Sequence, residues 1–269
     1  MSMIDGITTK RRTSMNLEAP KFKAFMDVLK IVSASCKDIM IKNGQICQKS
    51  DDTRTVYKCD LSDVIGVIDM NITRSADVHK TLEIFTKQGS DVVLEFVNGK
   101  FIFKDSQSSY SVINSLDNYI TRTNRFMSDE EFGIVTFIDD VTPLCEGSII
   151  DKTITDRFEH ISRGMSVSNT ILKFKGDSVE FLLTPSDEKN ATIFSVFKID
   201  GLEEEINGSG KMALDFVVNC SPPIDLSLSY RESKGRTYIT LKSQFKIMIN
   251  SPEHKGMGID MEVWGVTNL

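Results

Sequence analysis

The sequence predicts an α+β chain of two similar domains, each with two helices packed on antiparallel sheets. Three observations carry that prediction. One module, an amphipathic stretch of about three turns followed by two alternating strands across a tight turn, recurs four times. The turn glycines fall in pairs: Gly44 and Gly99 lie 55 residues apart and Gly176 and Gly235 lie 59 apart, while 77 residues separate Gly99 from Gly176. The chain has 269 residues, 40% hydrophobic and 26% charged, so each half can bury a core of its own.

Taken in order, residues 1–13 read as a flexible tail, and the Lys10–Arg12 triplet in it is most simply solvated charge. The first domain is expected over 14–119. Its first helix spans about Pro20–Ser35, with Phe22, Phe25, Met26 and Leu29 on one stripe. A hairpin follows over Asp38–Ile46, turning at Asn43-Gly44, because a type I′ turn needs two residues of positive φ. Val56–Leu61 is a further strand. A second helix over Ser75–Gln88 buries Val78, Leu82 and Phe85, and a hairpin over Asp91–Phe103 turns at Asn98-Gly99.

Residues 120–146 are polar and poor in apolar periodicity, as a surface connector should be. The second domain is expected over 147–269. Its helices are read at Thr153–Gly164, burying Phe158, Ile161 and Met165, and at Gly210–Ser221. Its hairpins turn at Gly176-Asp177 and Lys234-Gly235, and Thr192–Ile199 is a long strand.

The formal net charge is −6 and the pI is near 5.2, so bulk charge does not draw this chain to nucleic acid; a local patch would have to. No apolar run approaches a membrane span, and the N-terminus lacks a secretory core, so a cytoplasmic, reducing environment is expected. Five cysteines and three histidines are scattered without metal-ligand or disulfide spacing. Gly208–Lys211 mimics a phosphate loop, but Glu205 and Met212 stand where glycine and Ser or Thr are required; it reads as a turn into a helix. Asp51-Asp52 and Asp139-Asp140 are adjacent pairs that cannot converge from one strand face. No catalytic constellation, metal site or cofactor site is expected.

A twofold duplication of helix-plus-hairpin modules in an acidic, non-catalytic chain resembles the DNA sliding clamps, the polymerase processivity factors. The likeness is closest to the clamps of T-even-type bacteriophages and is similar to the proliferating cell nuclear antigen fold. Asp38–Ile46, Leu61–Ile65 and Ile161–Met165 carry the first likeness, and Ala213–Ser229 is similar to the last helix and strand of the eukaryotic and archaeal clamps. The resemblance implies a DNA-clamp fold that assembles into a closed ring of six domains, hence a homotrimer. It also implies double-stranded DNA bound without sequence preference, a DNA polymerase tethered to the ring, and a separate clamp-loader ATPase. Other replication, repair or late-transcription proteins complete the implied partners, in the host cytoplasm if the chain is phage-encoded.

In such a ring the helices face DNA. The four expected helices carry eight basic against six acidic residues, while the remainder of the chain is strongly acidic. The DNA-facing set is therefore Lys23, Lys30, Lys80, Lys87, Arg157, Arg163 and Lys211, with Lys37 if the first helix extends that far. The family's partner-peptide pocket would be lined by Phe126, Phe132, Ile134, Phe137, Met261, Val263 and Trp264, although Gly258–Gly265 is equally well read as a last strand with a packed Trp. The competing reading is a viral structural or assembly protein of duplicated β-rich domains, which would form open polymers.

Overall fold

The computed structural model describes residues 13–136, 142–150, 160, 169–176, 178–183, 193–198, 206–213, 224–233 and 236–268. In chain order the elements are β1 (Thr13–Leu17), α1 (Ala19–Ser33), β2 (Asp38–Lys42), β3 (Gln45–Lys49), β4 (Thr55–Asp60), α2 (Ser62–Ile65), β5 (Met70–Thr73), α3 (Ser75–Gln88), β6 (Val92–Val97), β7 (Lys100–Lys104) and β8 (Ser109–Ile113). They continue as α4 (Asp129–Thr136), β9 (Thr142–Ile150), β10 (Asn169–Gly176), β11 (Ser178–Leu183), β12 (Ile193–Lys198), β13 (Ile206–Ala213), β14 (Ile224–Ser233), β15 (Arg236–Met248) and β16 (Gly258–Asn268).

Three antiparallel sheets result, ordered β1-β6-β7-β8, β12-β11-β10-β13 and β5-β2-β3-β4-β16-β15-β14-β9. The long sheet is two four-stranded sheets joined at β4 and β16. Cut there, the orders repeat: β5-β2-β3-β4 matches β13-β10-β11-β12, and β1-β6-β7-β8 matches β9-β14-β15-β16. The duplication expected from the glycine spacing is present in the strand topology.

α1 forms where the sequence places it. Pro20 sits in its first turn, and the Ala19 N–H is taken by Asp91 Oδ1 at 2.9 Å, a cap supplied from 72 residues away. Its buried side is wider than a simple stripe, adding Ala24, Val28, Ile31 and Val32 to the four expected residues, because α3 packs along its flank. α3 begins after Arg74, whose φ is 55°, and ends at Gly89, whose φ is 64°. Phe22, Phe25, Phe85 and Phe103 meet between helices and sheet, Phe22 edge-on to Phe85 at 6.2 Å and Phe25 stacked on Phe103 at 6.4 Å. Both Asn-Gly hairpin turns adopt positive φ at both residues.

Several expectations change. The first domain opens with a strand that the sequence reading did not place: β1 takes in Thr13, the last residue assigned to the tail, and pairs with β6 from Thr13↔Phe96 to Leu17↔Val92. Its alternation, Ser14 and Asn16 against Met15 and Leu17, spans only five residues. Gly210–Ser221 does not begin as a helix, since Gly208–Lys211 lies in β13, paired with Phe174–Ile171 of β10. Glycine has no helical preference, and here cross-strand pairing overrides the expected turn. The connector is also more deeply seated than its polarity suggests. Ile120, Asn124, Met127, Phe132 and Thr136 are buried, and α4 starts with a capping box in which Glu131 N–H donates to Ser128 Oγ and Ser128 N–H to Glu131 Oε2. The third expected helix, with Phe158, Ile161 and Met165, lies outside the described residues apart from His160.

Candidate functional site

Two surfaces gather the residues singled out by the sequence. The first is the exposed side of α1 and α3. Burial of the apolar side of α1 leaves Lys23, Asp27 and Lys30 along its outer stripe, at helical spacing. On α3 the corresponding stripe is Lys80, Glu83 and Lys87. Lys23 Nζ contacts Asp27 Oδ2 at 2.8 Å. Lys30, Lys80 and Lys87 have no carboxylate within ion-pair distance among the described residues, so their charges are open to solvent. His79 sits in the seam between the helices, buried to 9% exposure, with Nδ1 4.0 Å from Glu83 Oε1. Burial holds its pKa below 6.5; Glu83 pulls upward and Lys30 pushes down.

Lys37 is not part of that stripe. α1 ends at Ser33, and Lys37 lies in the following loop with its N–H held by the Asp51 carboxylate at 3.1 Å. Its carbonyl accepts the Ser75 N–H at 2.8 Å, tying the end of α1 to the start of α3. Lys211 belongs to a strand, as described above, so it leaves the helix set as well. Arg157 and Arg163 lie outside the described residues.

The second surface is the joint between the two halves, where β4 pairs with β16 from Thr55↔Gly265 to Cys59↔Met261. A cavity of about 240 Å³ opens there, lined by Cys47, Lys58, Phe126, Asp129 and Glu262 among others. The connector is fixed over it by bonds to the main chain of β2 and β3. Met127 N–H donates to Cys47 O at 2.7 Å, and the buried Asn124 accepts from Asp38 N–H and donates to Lys49 O. Beside the cavity, Trp264 stands edge-on to Phe132 at 5.9 Å, and Lys58 Nζ lies 4.4 Å over the Phe132 ring and 3.3 Å from Asp129.

Strand alternation divides the expected pocket residues. Met261 and Val263 point into the main core, 0% and 1% exposed, while Glu262 and Trp264 face the connector side. Phe126 lines the cavity, Phe132 of α4 packs on Trp264, Ile134 is exposed, and Phe137 is outside the described residues. The sequence reading missed Lys58 and Cys47; strand pairing across β3, β4 and β16 brings them to the same place, from Cys47↔Lys58 and Lys58↔Glu262. Burial pushes the Cys47 thiol up to about 11 and that of Cys59 up to about 12, so both stay protonated and unreactive at neutral pH. Among the described residues no group of three or more His, Cys, Asp or Glu side chains could hold a metal, and no helix is long and apolar enough to cross a membrane.

No protein-family model matches the sequence, and no curated protein matches it by sequence. Solved structures do. The chain superposes on the PCNA2–PCNA3 complex of Sulfolobus tokodaii with a TM-score of 0.51 at 13% identity, covering 95% of this chain and 99% of that one. With the proliferating cellular nuclear antigen of Entamoeba histolytica the TM-score is 0.53 at 11% identity, over 95% and 98%. With the Helicobacter pylori beta clamp in complex with 5-chloroisatin it is 0.54 at 10% identity, over 93% of this chain and 64% of that one. At such identities the likeness is one of architecture: the chain has the DNA-clamp fold shared by these proteins.

Proposed function

We propose that the protein is a sliding clamp: three chains close into a ring around duplex DNA and tether a DNA polymerase for processive synthesis. The observation that supports this best is the doubled topology, in which two of the sheet edges are the counterparts of the strands joined inside the chain. Within the chain, β4 of one half pairs with β16 of the other. β12 holds in the second half the place of β4 in the first, and β8 holds the place of β16, and each ends its sheet. Pairing β8 of one chain with β12 of the next would repeat the internal joint in a head-to-tail contact, the kind that closes a ring.

Lys23, Lys30, Lys80 and Lys87 would then meet phosphates from inside the ring, with Arg157 and Arg163 in the same role. Phosphate contacts carry no sequence information, so position along the axis stays nearly degenerate. Retention is topological, and a polymerase held at the joint cavity rebinds as if intramolecularly. A separate ATP-driven loader opens the ring, and other replication, repair or late-transcription proteins would use the same cavity. The protein acts in the cytoplasm, in a phage-infected host if phage-encoded, and catalyses no reaction.

Light scattering over a concentration series tests the ring. A species of three chains is expected, together with retention on nicked circular DNA and loss from linear DNA. Open-ended polymers would overturn the proposal in favour of a structural protein, as would a failure to be retained on circular DNA in the presence of a loader.

A further inference from the structure

We propose that Asp27 and Glu83 act as brakes on DNA affinity, each a carboxylate set between two lysines on the face turned to the duplex. The inference rests on the clamp reading and concerns how tightly that same face holds phosphate. The two helices carry the same order of charge, Lys23-Asp27-Lys30 on α1 and Lys80-Glu83-Lys87 on α3. Both carboxylates are well exposed, each side chain at 42%.

Helix stability does not account for them. Aspartate is a poor helix former, and Asp27 lies mid-helix, far from the N-terminal turn where its charge would favour the helix dipole. Its partner Lys23 precedes it by four residues, the less favourable order for such a pair. Glu83 has Lys87 four residues later, in the favourable order, yet it turns to His79. His79 in turn senses Asp27, Lys30, Lys80 and Glu83 together, so the charges of both helices converge on one seam.

Paired with Lys23, the Asp27 carboxylate competes with phosphate for that ammonium group, while Glu83, turned to His79, acts by lowering the positive potential of the face between Lys80 and Lys87. Lys23 can leave a phosphate for Asp27 without being stranded, so each contact is short-lived and no register along the duplex is favoured. A face of uninterrupted lysines would hold DNA longer and slide less freely.

The test measures binding of the full chain to a short linear duplex by fluorescence anisotropy across a salt series. Asp27→Asn, Glu83→Gln and their combination are compared with Lys30→Gln, Lys80→Gln and Lys87→Gln, with Asp63→Asn, at an exposed position of α2, as the control for net charge. Thermal melting confirms that each variant is folded. The expected result is several-fold tighter binding for the neutralised carboxylates at about 50 mM salt, with a salt slope steeper by about 0.9 per phosphate gained. The lysine variants should weaken binding, and Asp63→Asn should leave it unchanged. If the lysine variants weaken binding while the carboxylate variants do not tighten it, the brake is wrong and the DNA-facing surface stands. If the lysine variants have no effect, the surface itself is misassigned and the brake falls with it. Equal tightening by Asp63→Asn would reduce the effect to net charge and overturn the proposal.

Discussion

Gly44 and Gly99 occupy equivalent hairpin turns, with φ of 77° and 74°, but their surroundings differ. A Cβ at Gly44 would lie 2.6 Å from the Gly66 carbonyl oxygen and 3.0 Å from Ser62 Cα, whereas at Gly99 nothing lies within 4 Å. Gly99→Ala should therefore cost about 1 kcal/mol, the left-handed strain alone. Gly44→Ala must also push α2 away and should cost clearly more, a difference read from thermal melts of the two variants. His79 gives a pH test. Its pKa is lowered in the fold, so the folded state holds its proton less readily than the unfolded chain does. Stability is then full above about pH 6.5 and falls as pH drops through 6.5 toward the lower folded value. His79→Gln should remove that part of the slope in melts between pH 7 and pH 5, roughly the window of the histidine transition. At this scale the Asn-Gly turns and the Phe22–Leu29 stripe were legible in the sequence, because both depend on neighbours in the chain. Lys58 and Cys47 were not, since only pairing across three strands brings them to the joint.

Among elements, α4 is set by a few local bonds. Glu131 accepts from Ser128 N–H, which lowers its carboxyl pKa, and it also pairs with Arg125. Glu131→Ala breaks the reciprocal cap, which costs about 1 kcal/mol in helices generally. Hydrogen exchange should quicken at residues 129–136 and leave α1 and α3 unchanged. The spacing Ser128-x-x-Glu131 is itself the sequence signal for this helix, and composition obscured it: three acids in a row suggest a loop until their place in a first turn is recognised. The opposite error occurred at Lys211. Gly-Ser-Gly followed by apolar residues suggests an entry to a helix, and only the eight-residue ladder from Gly176↔Ile206 to Asn169↔Ala213 makes it a strand. β1 went unread for a related reason: it is five residues long, and its pairing partner β6 lies some 80 residues further along the chain, so no turn joins the two.

For the whole molecule, the free edges make the sharpest demand. Ile113 closes β8 and is 65% exposed, an apolar residue on an unpaired edge strand where solitary proteins usually place charge. If β8 meets β12 of a second chain, Ile113→Glu should lower the average mass toward one chain in light scattering and leave the monomer's melting behaviour nearly unchanged. The fold class and its duplication were legible from turn spacing, because a repeated module leaves a repeated signature. Which edges are joined and which are open was not, since that follows from a pairing between distant strands.

That pairing also governs how the chain can reach its structure. β4 ends at Asp60, yet its partner β16 begins only at Gly258. Cys59 and Met261 must find each other across some 200 residues, a contact of the non-local sort that forms slowly. Until then the first half holds an open strand edge in a crowded cell, with Val56 and Cys47 waiting for Trp264 to cover them. Synthesis thus exposes the internal joint for tens of seconds at ordinary elongation rates of about 5–20 residues per second. A chain truncated before Gly258 should accumulate in inclusion bodies, with the last strand acting as the lock that ends its own aggregation hazard.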